Sequence, residues 1–167
     1  MSHPHQINNS GSPLVAPLTY FERTGLSLAG GKGANLGELI KAGFDVPPGF
    51  IITTAAYDLL LLDNNLDARL RDILASFTTD DPASVKQTGQ QIREALNGAS
   101  IPAMLADEVL KAYRLLGSGA VAVRSSATAE DLPEAAFAGQ QETFLNVIGE
   151  QALLEAIAHA VVQPVGT

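Results

Sequence analysis

Three stretches of this 167-residue chain combine residue types suited to holding polyphosphate. The first is Gly30-Gly31-Lys32-Gly33, which opens a helical pattern. Glycines there let the backbone approach a ligand closely, N–H groups of the first turn are unbonded, and the helix dipole favours an anion. Lys32 adds a point charge for phosphate. The run is not a Walker A loop, which needs glycine at position 26 and Ser or Thr at 33, where this chain has Leu26 and Gly33. A glycine turn with a solvated lysine is the other reading of the same residues. The second stretch runs Val121-Ala122-Val123-Arg124-Ser125-Ser126-Ala127-Thr128-Ala129-Glu130-Asp131. Arg124 leaves the end of an expected buried strand, and hydroxyl residues follow it at once. A guanidinium forks onto phosphate oxygens, and hydroxyls can donate beside it. The alternative is an ion pair of Arg124 with Glu130 or Asp131, the serines serving as turn residues. In the third stretch, Phe137-Ala138-Gly139-Gln140-Gln141-Glu142-Thr143-Phe144, Gly139 can let the chain pass close over a nucleotide. Thr143 offers a hydroxyl and an N–H at a strand start. Gly139 also reads as a β-bulge glycine. The three together argue for a polyphosphate ligand more strongly than any one alone.

Other chemistries find no residues. The chain has no cysteine, which removes disulfides, thiolate nucleophiles and Cys-ligated zinc. Outside the N-terminal His3 and His5 the remaining histidine is His159, on an Ala-rich helical stretch, so no Ser-His-Asp set and no metal site is assigned. Ten Lys and Arg against eighteen Asp and Glu give a net charge of −8 and a pI near 4.7, without the basic face that nucleic acid requires. The longest strongly apolar cluster, residues 59–62, is far short of the roughly 20 residues that span a bilayer, and the N-terminal residues have no signal-peptide pattern. The expectation is a cytoplasmic protein with neither nucleic-acid nor membrane partners.

The elements that must position these residues follow from periodicity. With 46% apolar and 17% charged residues, the chain can build one real core. Residues 1–13 read as a loose, polar, disordered tail. Ala34, Leu36, Leu39 and Ile40 recur at helical spacing, and Gly43 closes that helix. Pro47-Pro48-Gly49 leads into a strand at 50–52, after which Thr53 or Thr54 caps a helix from about Ala55. Helices are expected at 55–63, 66–76, 82–97 and 103–116, a buried strand at 120–123, a small-residue loop at 125–139, a strand at 144–147 and a helix from about Glu150. This mixture predicts an α/β or α+β domain.

At these stretches the sequence resembles the N-terminal ATP-binding domain of the phosphoenolpyruvate synthase and pyruvate phosphate dikinase family. The resemblance is carried by Gly30-Gly31-Lys32-Gly33-Ala34-Asn35-Leu36-Gly37, by Val46-Pro47-Pro48-Gly49-Phe50 with Thr53-Thr54, and by the long run from Val123 through Pro133 continued from Phe137 to Asn146. It covers roughly residues 28–157. It implies the first part of an ATP-grasp-like nucleotide domain, occupying residues 14–157, with 158–167 a divergent tail. In such enzymes ATP phosphorylates a histidine on a separate domain, and the phosphate passes to pyruvate. Lys32 and Arg124 then contact ATP phosphates, and Gly139 and Thr143 belong to a loop over the nucleotide. Rifampicin phosphotransferases share the motifs, but the wording of Gln140-Gln141-Glu142-Thr143-Phe144 is closer to phosphoenolpyruvate synthase. Family members run to several hundred residues, with the magnesium ligands and the phosphohistidine and acceptor domains beyond this region. The resemblance therefore implies a fragment that binds ATP, reaches an acceptor only through domains it lacks, and does not turn over alone.

Overall fold

The computed structural model describes residues 11–20, 26–75, 82–126 and 143–162. Its helices are set by stripes of apolar residues and closed by backbone devices legible in the sequence. In α1 (Leu26–Lys41) the last turn ends in a Schellman motif. Gly43, at φ 83°, donates to the Ile40 carbonyl at 3.0 Å, and the Phe44 N–H bonds Leu39 at 3.0 Å. β2 (Phe50–Ile52) follows, then α2 (Thr54–Asp63), α3 (Leu66–Ala75), α4 (Pro82–Asn97) and α5 (Ala103–Leu115). These lie within a residue or so of the expected segments. α5 buries Leu105, Glu108, Val109 and Tyr113, a single stripe at helical spacing. α6 (Glu150–Val162) does the same with Leu153, Ala156 and Ile157, and it runs unbroken past residue 157.

The strands form two antiparallel pairs. β1 (Val15–Pro17), a strand the periodicity does not announce, pairs with β2 in the register Val15↔Ile52 and Pro17↔Phe50. β3 (Val121–Arg124) pairs with β4 (Thr143–Val147), with Val121↔Val147, Val123↔Phe144 and Arg124↔Thr143. The register slips by one residue between the first two pairs, so Leu145 and Asn146 face Ala122 as a β-bulge. Asn146 takes the left-handed conformation, φ 56°, that this geometry uses. The expectation of a buried β3 is corrected: its residues alternate between half-buried and exposed. Only the Val121 and Val123 face packs on the core, and Ala122 and Arg124 face away from it.

A main core gathers Leu14 and Val15, the α5 stripe, Val147 and the α6 stripe. A second, around Ala16, Leu18, Ala29 and Ile51, seats α1 on the β1–β2 pair. A third, around Leu60, Leu66, Ala95 and Leu96, holds α2, α3 and α4 together. Thr53 stands at the cap position of α2, but its side chain makes no cap bond. Its hydroxyl donates instead to the Pro13 carbonyl at 2.6 Å, and its N–H bonds Leu14 at 3.0 Å, tying β1 to the start of α2. Residues 1–10 of the expected tail lie outside the described residues. Among the described residues, no helix is long and apolar enough to cross a membrane.

Candidate functional site

The helix start expected at the glycines is built as a break. α1 contains one non-helical residue, Gly30, at φ 68° and ψ 171°. That region is essentially open only to glycine. The break divides α1 into a turn at 26–29 and the helix proper from Gly31, with Lys32 and Gly33 in its first turn. Thr54 Oγ1 donates to Ser27 O at 3.0 Å, fixing the preceding turn to the start of α2.

Against this break lies the end of β3, more than ninety residues further along. Lys32 Nζ donates to the Ser125 carbonyl at 3.3 Å, and the Gly33 N–H donates to Ser126 Oγ at 3.2 Å. Ser126 Oγ in turn donates to the Ala29 carbonyl at 3.0 Å. A Cβ on Gly30 would sit 2.1 Å from the Ser126 carbonyl oxygen, and one on Gly33 would sit 2.9 Å from Ile51 Cδ1. In this structure, then, what the two glycines make room for is protein: the Ser126 backbone on one side and β2 on the other. A helix normally takes a cap from the residue preceding its first turn. Gly30 has no side chain to give, and Ser126 supplies the oxygen from across the fold.

Of the expected site residues, three lie in described elements: Lys32 in the turn after the break, Arg124 at the end of β3 and Thr143 at the start of β4. Arg124 ends β3, exposed, immediately before the Ser125 carbonyl that Lys32 bonds. Thr143, first in β4, is directly opposite Arg124, and opposed residues of an antiparallel pair share a face. Gly139 lies outside the described residues, as do Glu130 and Asp131, the alternative partners of Arg124. Sequence reasoning left the hydroxyls after Arg124 between a ligand and a turn, and missed that Ser126 caps α1. The only available signal was a helix start whose own cap residue is a glycine. The Ser125 hydroxyl differs from its neighbour: it is buried with no hydrogen-bond partner. A buried hydroxyl left unmet costs about 1–3 kcal/mol. Thr143 also begins an open groove of about 620 Å³ between β4 and α6, where the Phe144 and His159 rings lie 6.1 Å apart. His159, read from the sequence as a plain helix residue, therefore lines a surface groove. Among the described residues no group of three or more His, Asp or Glu is placed to hold a metal ion.

A mixed helix and small-sheet domain, with the end of β3 bonded to a broken helix start, is the class that fold and site define. Residues 26–163 match the pyruvate phosphate dikinase, AMP/ATP-binding domain family, and the chain belongs to it. It is similar to a probable phosphoenolpyruvate synthase of Methanothermobacter thermautotrophicus, 38% identical over 162 residues, covering 92% of this chain and 24% of that protein. The phosphoenolpyruvate synthase of Pseudomonas aeruginosa is 47% identical over 135 residues, 76% of this chain and 17% of that one. The rifampicin phosphotransferase of Bacillus subtilis is 42% identical over 149 residues, 88% of this chain and 17% of that one. The chain thus spans between about a sixth and a quarter of the length of these relatives.

Proposed function

We propose that this chain is the ATP-binding portion, ATP-grasp-like in kind, of a phosphotransferase of the phosphoenolpyruvate synthase type. The observation that supports the reading is the Lys32–Ser125 bond, which joins the start of α1 to the residue that follows Arg124. In this reading Lys32 and Arg124 hold phosphate oxygens of ATP, Thr143 donates from the facing strand, and Gly139 lies in the loop that follows the nucleotide. Phosphoryl transfer asks the protein for positioning and neutralisation of charge, and two cations joined by backbone contacts supply both. ATP arrives with Mg2+, whose ligands in this reading belong to the additional length of the longer relatives.

The acceptor follows from the relatives' names. Phosphoenolpyruvate synthases predominate among those compared, which favours pyruvate by way of a phosphohistidine carried elsewhere. The 42% identity to a rifampicin phosphotransferase favours a second reading, in which the same nucleotide portion serves an antibiotic acceptor. In both, the acceptor is chosen outside the region that this chain shares with them. Titration calorimetry of the chain with Mg-ATP tests the binding claim, and saturable heat is expected. A chain that gives no heat up to millimolar ATP contradicts it. Incubation with ATP, Mg2+ and pyruvate is expected to yield no phosphoenolpyruvate and AMP from the chain alone, and sustained formation of both contradicts the reading of it as the binding portion only.

A further inference from the structure

We infer that Ser126 is a positioning residue: its hydroxyl latches the Lys32-bearing helix start to the Arg124-bearing end of β3 and so sets the spacing of the two cations. The inference rests on the nucleotide reading above and adds to it a residue whose role is exerted through Lys32.

The two cations belong to segments far apart in sequence, and nothing local fixes one against the other. Three hydrogen bonds cross between those segments where they meet. One is Lys32 Nζ to the Ser125 carbonyl, made by a long side chain whose rotamers are costly to hold. The other two belong to a single atom, Ser126 Oγ, which accepts from the Gly33 N–H at 3.2 Å and donates to the Ala29 carbonyl at 3.0 Å. Ala29 and Gly33 flank the Gly30 break, so one hydroxyl spans it, with a bond on each side. The geometry is matched from the other direction as well. Gly30 takes a conformation reserved for glycine, and its missing side chain leaves room for the Ser126 carbonyl, 2.1 Å from where a Cβ would lie. Helix break, missing side chain and reaching hydroxyl are thus parts of one joint. Removing the hydroxyl takes this partner from the Gly33 N–H and the Ala29 carbonyl and removes two of the bonds that join the Lys32 segment to the Arg124 segment. The neighbouring Ser125 hydroxyl, buried without a partner, is not part of the joint.

The test is titration of the full chain with Mg-ATP for wild type, Ser126→Ala, Ser126→Thr, Lys32→Ala and the Lys32→Ala/Ser126→Ala double variant, with circular dichroism confirming that each is folded. Ser126→Ala is expected to weaken ATP binding about tenfold, as for residues coupled in one hydrogen-bond network. Ser126→Thr, which keeps the hydroxyl, is expected to stay within about threefold of wild type. In the Lys32→Ala background the serine substitution is expected to cost nothing further, because the residue it positions is gone. Wild-type affinity in Ser126→Ala overturns the inference, and so does an equal loss in both backgrounds, which marks general loosening. Should Ser126→Ala fail to fold, Ser126→Cys replaces it, and wild-type affinity there overturns the inference equally. Absence of ATP binding by wild type rejects the nucleotide reading and this inference together, whereas ATP binding indifferent to Ser126 rejects the inference alone.

Discussion

Gly30 and Gly43 both have positive φ, 68° and 83°, yet only one of them is crowded. At Gly43 a Cβ meets nothing within 4 Å, so Gly43→Ala is expected to cost only the left-handed strain of about 1–2 kcal/mol. At Gly30 the ψ of 171° takes the residue outside the region other side chains can share, and the new Cβ lands on the Ser126 backbone. Gly30→Ala is therefore expected to lose clearly more stability in urea unfolding than Gly43→Ala, and equal losses contradict the close approach described here. Both positions were marked by sequence as glycines with a job, and Gly43 does the job expected of it. The partner of Gly30 was not legible, because Ser126 is reached only through tertiary structure and reads locally as a turn serine. Thr53 teaches the same lesson. Its type and place announce a cap, and its hydroxyl goes to Pro13.

Among the elements, α5 and α6 are joined, beyond the core they share, by one buried tyrosine and one exposed ion pair. The Tyr113 ring is 1% exposed. Its hydroxyl accepts from the Gly149 N–H at 3.0 Å and donates to the Gly119 carbonyl at 2.8 Å, joining the end of α5, the approach to β3 and the start of α6. Gly119 and Gly149 are exposed, so water can meet their backbone groups, and Tyr113→Phe is expected to destabilise by about 0.5–1.5 kcal/mol in urea unfolding. No change contradicts the role given to that hydroxyl. Nearby, Arg114 Nε donates to Glu150 Oε1 at 2.7 Å, and this hydrogen bond, then the charge of Arg114, holds the Glu150 carboxyl below its usual range despite the opposing effect of desolvation. A carboxyl whose folded pKa is lowered stabilises the fold above its unfolded pKa and loses that contribution as pH falls through the folded one. Thermal unfolding of Glu150→Gln is thus expected to match wild type in strong acid and to fall slightly below it at neutral pH. Added salt is expected to shrink the gap, since both side chains are half exposed. A gap that widens in acid contradicts the sign. The helices themselves were readable from apolar positions that recur at helical spacing, most clearly in α4 and α5, and from punctuating Pro, Gly or Asn. β1 was not, since three residues ending in Pro17 show no period, and the strand exists because β2 pairs with it.

On the scale of the whole molecule, a net charge of −8 opposes the approach of any polyanion, so the proposed ATP site depends on local cations. The fold supplies a place for them by closing one long-range joint, β3's end on α1's start. Sequence composition excluded basic-surface and thiol chemistry without difficulty, and the motifs pointed to the family that the chain belongs to. How Lys32 and Arg124 are spaced was beyond it, because that depends on which face of β3 is turned outward, and the strand read as buried is in fact exposed on alternate residues.

The central claim is that Lys32 and Arg124 grip the same triphosphate. It is tested most directly by comparing ATP with adenosine as ligands for wild type, Lys32→Ala and Arg124→Ala. A charged hydrogen bond contributes about 1.5–3 kcal/mol, so each variant is predicted to lose about tenfold or more in ATP affinity while binding adenosine as wild type does. Wild-type ATP affinity in either variant, or equal losses for ATP and adenosine, contradicts the claim.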